Sequence, residues 1–123
     1  MSPDSVVLTL DAPDVQADFP STSTPDLSVV IPAMDEKENL DLLLPALHEV
    51  TAGLAINAEI IVADGGSSDG TQQAAASRGA RVVQQVGRGY GGALLAGFEA
   101  SRAPYVITMD ADLSHRPVVL EEL

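Results

Sequence analysis

A chain of 123 residues with 46% hydrophobic content has room for one core, and little more for an enzyme that must hold two substrates. It lacks cysteine, which excludes disulfides and thiolate metal sites, so any metal must be a hard cation held by oxygen or imidazole. Six basic residues against 18 acidic ones, a formal charge of -12, exclude the basic stripe that nucleic-acid binding requires.

No run approaches the roughly 20 apolar residues of a membrane span. The N-terminus lacks the basic start and apolar core of a signal peptide. A soluble cytoplasmic protein without a transmembrane segment is therefore expected.

Residues 1–26 carry Asp4, Asp11, Asp14, Asp18 and Asp26 among Pro3, Pro13, Pro20 and Pro25, with no Lys or Arg. Such a stretch has too little apolar surface to fold, and it reads as a disordered acidic tail preceding a domain over 27–123. From Leu27 onward, short β-rich runs alternate with longer helical stretches, the pattern of a βαβ series. The predicted class is α/β, a Rossmann-like sheet of mainly parallel strands that stops after about four.

The first run is Leu27–Ile31, followed by a helix over Glu36–Val50 with Leu40, Leu43, Leu44 and Leu47 on one face. Pro45 inside it predicts a kink near Asp41–Pro45 or a restart. A second strand spans Ala58–Ala63, and a helix capped by Asp69 or Ser68 runs to about Ser77. The third strand, Ala80–Gln85, carries Arg81 and should lie near an edge. A helix from about Gly91 to Ser101 should turn Leu94, Leu95 and Phe98 inward. The fourth strand, Tyr105–Met109, is as apolar as the first two and is expected to be central, covered on both faces. After Pro117, Val118–Leu123 resembles the first turns of a fourth helix.

In open α/β sheets, ligands bind beyond the carboxyl ends of the strands. Here those exits are Pro32–Glu36, Asp64–Gly70, Gly87–Gly92 and Asp110–Asp112, and three of the four are acidic. Asp110 and Asp112, one residue apart at a strand end, can approach a single divalent ion, and Mg2+ or Mn2+ would bridge them to the anionic diphosphate of a sugar nucleotide. An Asp-x-Asp triplet alone is more often a loop or a cap. Asp64 can accept from a nucleobase, with Gly65 and Gly66 allowing close backbone approach, or it can simply close a turn. Asp69 reads as a helix cap. Glu36 serves either a helix start or a nucleotide. Arg88 is a diphosphate partner or a solvated arginine, with Arg116 the other cation nearby. His115 is a metal or acceptor contact, or an exposed histidine with no such role.

Gly87-Arg88-Gly89-Tyr90-Gly91-Gly92 also satisfies the dinucleotide fingerprint, with Asp110 about 20 residues on. That reading, an NAD-type oxidoreductase, leaves Asp64 and Asp112 without a role.

Four stretches resemble the successive motifs of inverting family 2 glycosyltransferases with the GT-A fold. They are Ser28–Leu40, Glu59–Thr71, Gly87–Gly89 and Met109–His115, and the last is especially similar to polyprenyl-phosphate (dolichyl-phosphate) mannosyltransferases. The resemblance implies a metal-dependent transfer of mannose from GDP-mannose to a lipid phosphate at the cytoplasmic face of a membrane. It places the nucleotide on Pro32, Met34, Glu36, Ala63, Asp64 and Gly65. It places the diphosphate and metal near Arg88, Asp110, Ala111, Asp112 and Ser114, with Asp110 and Asp112 as ligands and Asp112 as the catalytic residue. Met34 and Asp35 depart from the Tyr and Asn usual in the family, and Gly65 from a second Asp. These changes leave room for a glucosyl or other lipid-phosphate transferase. No acceptor site or general base is evident, so a non-catalytic donor-binding remnant is the competing expectation.

Overall fold

The computed structural model describes residues 24–85 and 89–111. Seven elements follow in order: β1 (Leu27–Ala33), α1 (Lys37–Gly53), β2 (Ala58–Asp64), α2 (Thr71–Ser77), β3 (Arg81–Gln84), α3 (Gly89–Ala100) and β4 (Tyr105–Thr108). The strands form one parallel sheet in the order β3-β2-β1-β4. Val29 pairs with Ile60 on one side and Ile107 on the other, so β1 and β2 lie inside the sheet, and their apolar runs are buried as continuous-run strands should be. Thr24 to Asp26, counted above with the acidic stretch, are docked onto the turn before β2. Asn57 N–H donates to Asp26 Oδ2 at 3.2 Å, Asn57 Nδ2 to the Thr24 carbonyl at 3.3 Å, and Asp26 N–H to the Asn57 carbonyl at 2.7 Å.

Alternation along β1 assigns its two faces to different helices. Val29, Ile31 and Ala33 join Leu40, Leu43, Leu44 and Leu47 of α1 in the main core. Val30 points the other way and meets α3. The leucine stripe of α1 is thus as expected. The helix runs unbroken through Pro45, with no restart; Pro45 is on the exposed side, while Leu43, Leu44 and Leu47 around it are buried in the core and hold the helix together. Thr51 near its end returns its hydroxyl to the Leu47 carbonyl at 2.9 Å, so the buried oxygen is satisfied.

Two expectations are corrected. In α3 the inward residues are Gly92, Ala93, Ala96 and Gly97, while Leu95 and Phe98 remain 49% and 47% exposed. Small residues at this spacing let the helix backbone approach β1 closely, and that approach turns the large side chains outward. β4 is not central among the described residues. It pairs only with β1, and Tyr105 is 64% exposed. An apolar run records that a strand is meant to be covered, not by which neighbours. β3 does lie at the opposite edge, as Arg81 suggested.

Candidate nucleotide-sugar site

The parallel register brings the four carboxyl ends to one rim and continues it past the strands. Gly65 N–H donates to the Ala33 carbonyl at 2.9 Å, Gln85 N–H to that of Asp64 at 3.0 Å, and Met109 N–H to that of Val30 at 3.0 Å. Over this rim lies an open cleft of about 480 Å3. One wall comes from the β1 exit, Pro32 to Met34 with Glu36. The facing wall is the start of α3, where Tyr90 stands, and the β4 exit, Asp110 and Ala111. Gln85 closes the β3 end.

The loops after β1 and β2 are locked together by two parallel relays. Asp35 N–H donates to Ser67 Oγ at 2.7 Å, and that hydroxyl donates to Asp64 Oδ1 at 2.6 Å. Glu36 N–H donates to Thr71 Oγ1 at 3.0 Å, and that hydroxyl donates to Asp69 Oδ1. Asp69 also accepts from Thr71 N–H at 3.0 Å and from Lys37 N–H at 3.2 Å, so one carboxylate serves the first residues of α2 and α1. Its pKa is lowered, chiefly by the Thr71 hydroxyl. The capping role read from sequence is present, although Gly70, at φ 90°, occupies the backbone cap position. Asp35 itself has φ 55°, a conformation that Asp tolerates better than most residues, and it returns Oδ1 to Ser68 N–H at 2.8 Å.

Asp64 lies inside this lock. Its side chain is fully buried, and Oδ2 accepts from Gly66 N–H, Ser67 N–H and Gln72 Nε2 at 2.8, 2.9 and 2.8 Å. Burial raises its pKa, but the bonds from Ser67, Gln72 and Gly66 outweigh that and hold it ionised below the usual range. In this arrangement Asp64 shapes the loop beneath the cleft and does not line it. Ala63 is likewise fully buried.

Of the residues singled out in the sequence, Pro32, Met34, Glu36, Asp110 and Ala111 are brought together in the cleft. Gly65 lies beneath Met34 and Gln85. Arg88, Asp112, Ser114, His115 and Arg116 lie outside the described residues. Sequence reading gave no role to Gln85 or to the Tyr90 side chain. Gln85 had a signal, since it is the first residue past β3 and so stands at a strand exit. Tyr90 was hidden in a glycine-rich stretch.

Tyr90 Oη donates to Asp110 Oδ1 at 3.3 Å. Partial burial, the Asp110 charge and this bond raise the phenol's pKa, so it stays protonated and remains a donor. The described lining includes two carboxylates, Glu36 and Asp110, and no Lys or Arg. A diphosphate entering it needs a cation, and hard carboxylate oxygens suit Mg2+ or Mn2+. Among the described residues, no group of three or more acidic or imidazole side chains is gathered tightly enough to hold a metal unaided.

The family model for glycosyl transferase family 2 matches residues 28–123. The undecaprenyl-phosphate 4-deoxy-4-formamido-L-arabinose transferase of Pseudomonas fluorescens is 41% identical over 104 residues, 79% of this chain and 30% of the relative. The dolichol-phosphate mannosyltransferase of Mycosarcoma maydis is 37% identical over 113 residues, 84% of this chain and 38% of the relative. Glucosyl-3-phosphoglycerate synthase from Mycobacterium tuberculosis, solved with Mn2+, UDP-glucose and phosphoglyceric acid, superposes with a TM-score of 0.68 at 30% identity, covering 80% of this chain and 38% of that one. The chain thus spans about a third of the length of the relatives it matches. The four parallel strands are those of the GT-A fold of these neighbours.

Proposed function

This chain belongs to glycosyl transferase family 2, and from that premise we propose that its cleft binds the nucleotide-sugar donor of a transferase acting on a polyprenyl phosphate. The observation that carries the reading is the meeting of Glu36, from the β1 exit, with Asp110, from the β4 exit, in one cleft whose described lining offers no basic side chain. The relatives named for undecaprenyl phosphate and dolichol phosphate support the acceptor class. The family also decides against the dinucleotide reading. Physically, the glycine-rich stretch follows the edge strand β3 here, whereas that fingerprint belongs after a central strand.

In its finer form the reaction is inverting. An acceptor phosphate oxygen attacks the anomeric carbon, the bond from that carbon to the donor diphosphate breaks, and the nucleoside diphosphate leaves. A phosphate oxygen is already ionised, so it needs less help from a general base than a sugar hydroxyl would. A divalent cation held by Asp110 and Asp112 would supply Lewis-acid stabilisation of the departing diphosphate. Asp110, Ala111, Asp112, Ser114 and Arg88 would orient that end of the donor, and Pro32, Met34 and Glu36 the nucleoside. Asp64 and Ala63 would support them from below, with Gly65 as the floor.

Mannose from GDP-mannose is the donor that the mannosyltransferase relative favours. The UDP-glucose bound in a structural neighbour favours a uridine nucleotide instead. With a lipid-phosphate acceptor the site would work at a membrane face, the cytoplasmic one in the reading proposed here. Among the described residues no helix is long and apolar enough to cross a membrane.

Calorimetric titration with UDP-glucose, GDP-mannose and NAD, each with and without Mn2+, tests the reading. Mn2+-dependent binding of a sugar nucleotide, lost in Asp112→Ala, is expected. Tight metal-independent binding of NAD alone would overturn it.

A further inference from the structure

Glu59 stands near the start of β2, at the end of the sheet opposite the cleft, and its side chain is only 8% exposed. No step of the proposed reaction uses it. Its register partner Ser28 and the next pair on the same face, Val30 and Ile61, lie on the side of the sheet that α3 covers. From there one carboxylate holds three consecutive residues at the end of α3 by three routes. Arg81 Nη2 donates to Glu59 Oε1 at 3.1 Å and to the Ala100 carbonyl. Ser101 Oγ donates to Ser28 Oγ at 2.8 Å, and that hydroxyl donates to Glu59 Oε2 at 2.5 Å. Arg102 donates its backbone N–H to Oε2 at 2.7 Å and its Nε to Oε1 at 3.1 Å. The last turn of α3 has no basic residue of its own, so Arg81 reaches from β3 to serve the carbonyl end of the helix.

We propose that Glu59 is a positioning residue for the cleft: by holding residues 100–102 it fixes α3 along its axis and so places Tyr90 against Asp110. The proposal rests on the donor-binding reading above. The face that α3 lays on the sheet is made of Gly92, Ala93, Ala96 and Gly97. Ridges of large side chains set into grooves fix a helix lengthwise, and these small residues raise little ridge. The close contact of Gly97 with Val30 sets the separation of helix and sheet. The directional bonds at the helix end supply the axial position. β4 needs no such anchor, since it is paired to β1 from Tyr105 to Thr108. The chain joins α3 to β4 through residues 101–104, so a slip at that turn carries along the rigid helix to Tyr90, about 15 Å away. Gly89, Tyr90 and Ala93 would move with α3, while Asp110 would stay with β4, and the cleft between them would change shape.

The test uses the full chain, with far-UV circular dichroism to verify folding and two readouts at opposite ends of α3 from the substitution. One is calorimetric titration with UDP and GDP in saturating Mn2+. The other is the pH titration of the Tyr90 phenol, followed by ultraviolet absorbance in a Tyr105→Phe background, which leaves Tyr90 as the sole tyrosine. Glu59→Gln should weaken the nucleotide that the wild type binds about fivefold. It should also bring the Tyr90 phenol, raised by its nearness to Asp110, back toward the ordinary tyrosine value. Arg81→Lys, which lacks the fork that spans Glu59 and the Ala100 carbonyl, should move both readouts the same way by a smaller amount and serves if Glu59→Gln does not fold. Thr51→Ala is the control for lost stability alone: it removes a buried hydroxyl bond in α1, far from α3, and should leave both readouts at their wild-type values. If folded Glu59→Gln and Arg81→Lys keep the wild-type affinity and phenol titration, or if Thr51→Ala shifts them equally, the proposal is overturned while the donor-binding reading stands. If the folded wild type binds neither nucleotide, the donor-binding reading falls, and with it the role of Glu59 in a donor cleft, whatever the phenol shows.

Discussion

Gly97 lies directly on Val30: a Cβ built on the glycine would come within 2.2 Å of Val30 Cγ1 and 3.0 Å of Cγ2. Val30 is fully buried on the central strand β1, and its branched side chain has no room to rotate away. This contact sets how close α3 comes to the sheet, and hence where Tyr90 stands relative to Asp110.

Gly97→Ala should therefore destabilise the protein, although alanine is the better helix former by about 1 kcal/mol. Overpacking against Val30 costs about 1–3 kcal/mol and exceeds that gain when the partner cannot move. A denaturant midpoint equal to or above the wild-type value would contradict the packing described.

At the opposite end of the sheet, Glu59 gathers Ser28 Oγ at 2.5 Å, Arg102 N–H at 2.7 Å, and Arg81 and Arg102 guanidinium groups at 3.1 Å each. Burial raises its pKa, but these donors outweigh it and lower the value from 4.5 to about 2. Since the folded value is the lower one, the stabilisation is present above pH 4.5 and is lost as pH falls toward 2. Its size is on the order of 2 kcal/mol, reduced from the full shift because both arginines are solvated. Chemical denaturation across this window should show a decline in the wild type that Glu59→Gln flattens. Parallel curves for the two proteins would exclude Glu59 as the source.

Asp64→Asn replaces one acceptor oxygen by a donor amide facing Gly66 N–H, Ser67 N–H or Ser67 Oγ. A loss of about 2–3 kcal/mol is expected from unsatisfied buried donors. Nucleotide affinity should fall as well, because Ser67 then no longer fixes Asp35. Hydrogen exchange would report the cause: faster exchange at Gly66 and Ser67 is expected, and unchanged protection there would refute it.

Asp110→Asn should lower Mn2+-dependent nucleotide affinity by about tenfold or more, as loss of a charged oxygen ligand does. Tyr90→Phe should change it by about threefold at most, since a 3.3 Å bond at a half-exposed phenol is weak. Titration of both variants ranks the two residues, and a larger effect at Tyr90 would reverse the assignment of the ligand.

Pro45→Ala restores the backbone bond to the Asp41 carbonyl in the middle of α1, where position 45 is exposed. A gain of about 1–3 kcal/mol in thermal stability is expected. A lower melting temperature would mean that the proline shapes a bend the fold needs.

Periodicity alone determined much here. The apolar runs of β1 and β2, the leucine stripe of α1 and the acids at the strand exits are local patterns, and a parallel sheet has few ways to use them. Only tertiary structure decided the rest, because it depends on distance between segments far apart in sequence. Leu95 and Phe98 read as core until Gly97 is seen against Val30. Asp64 reads either as a nucleotide contact or as the closer of a turn, and its bonds to Gly66, Ser67 and Gln72 show only in the folded chain. Gln85 carries no motif, and its place in the lining of the cleft shows only in the fold, where Gly65, twenty residues earlier, leaves room for its side chain.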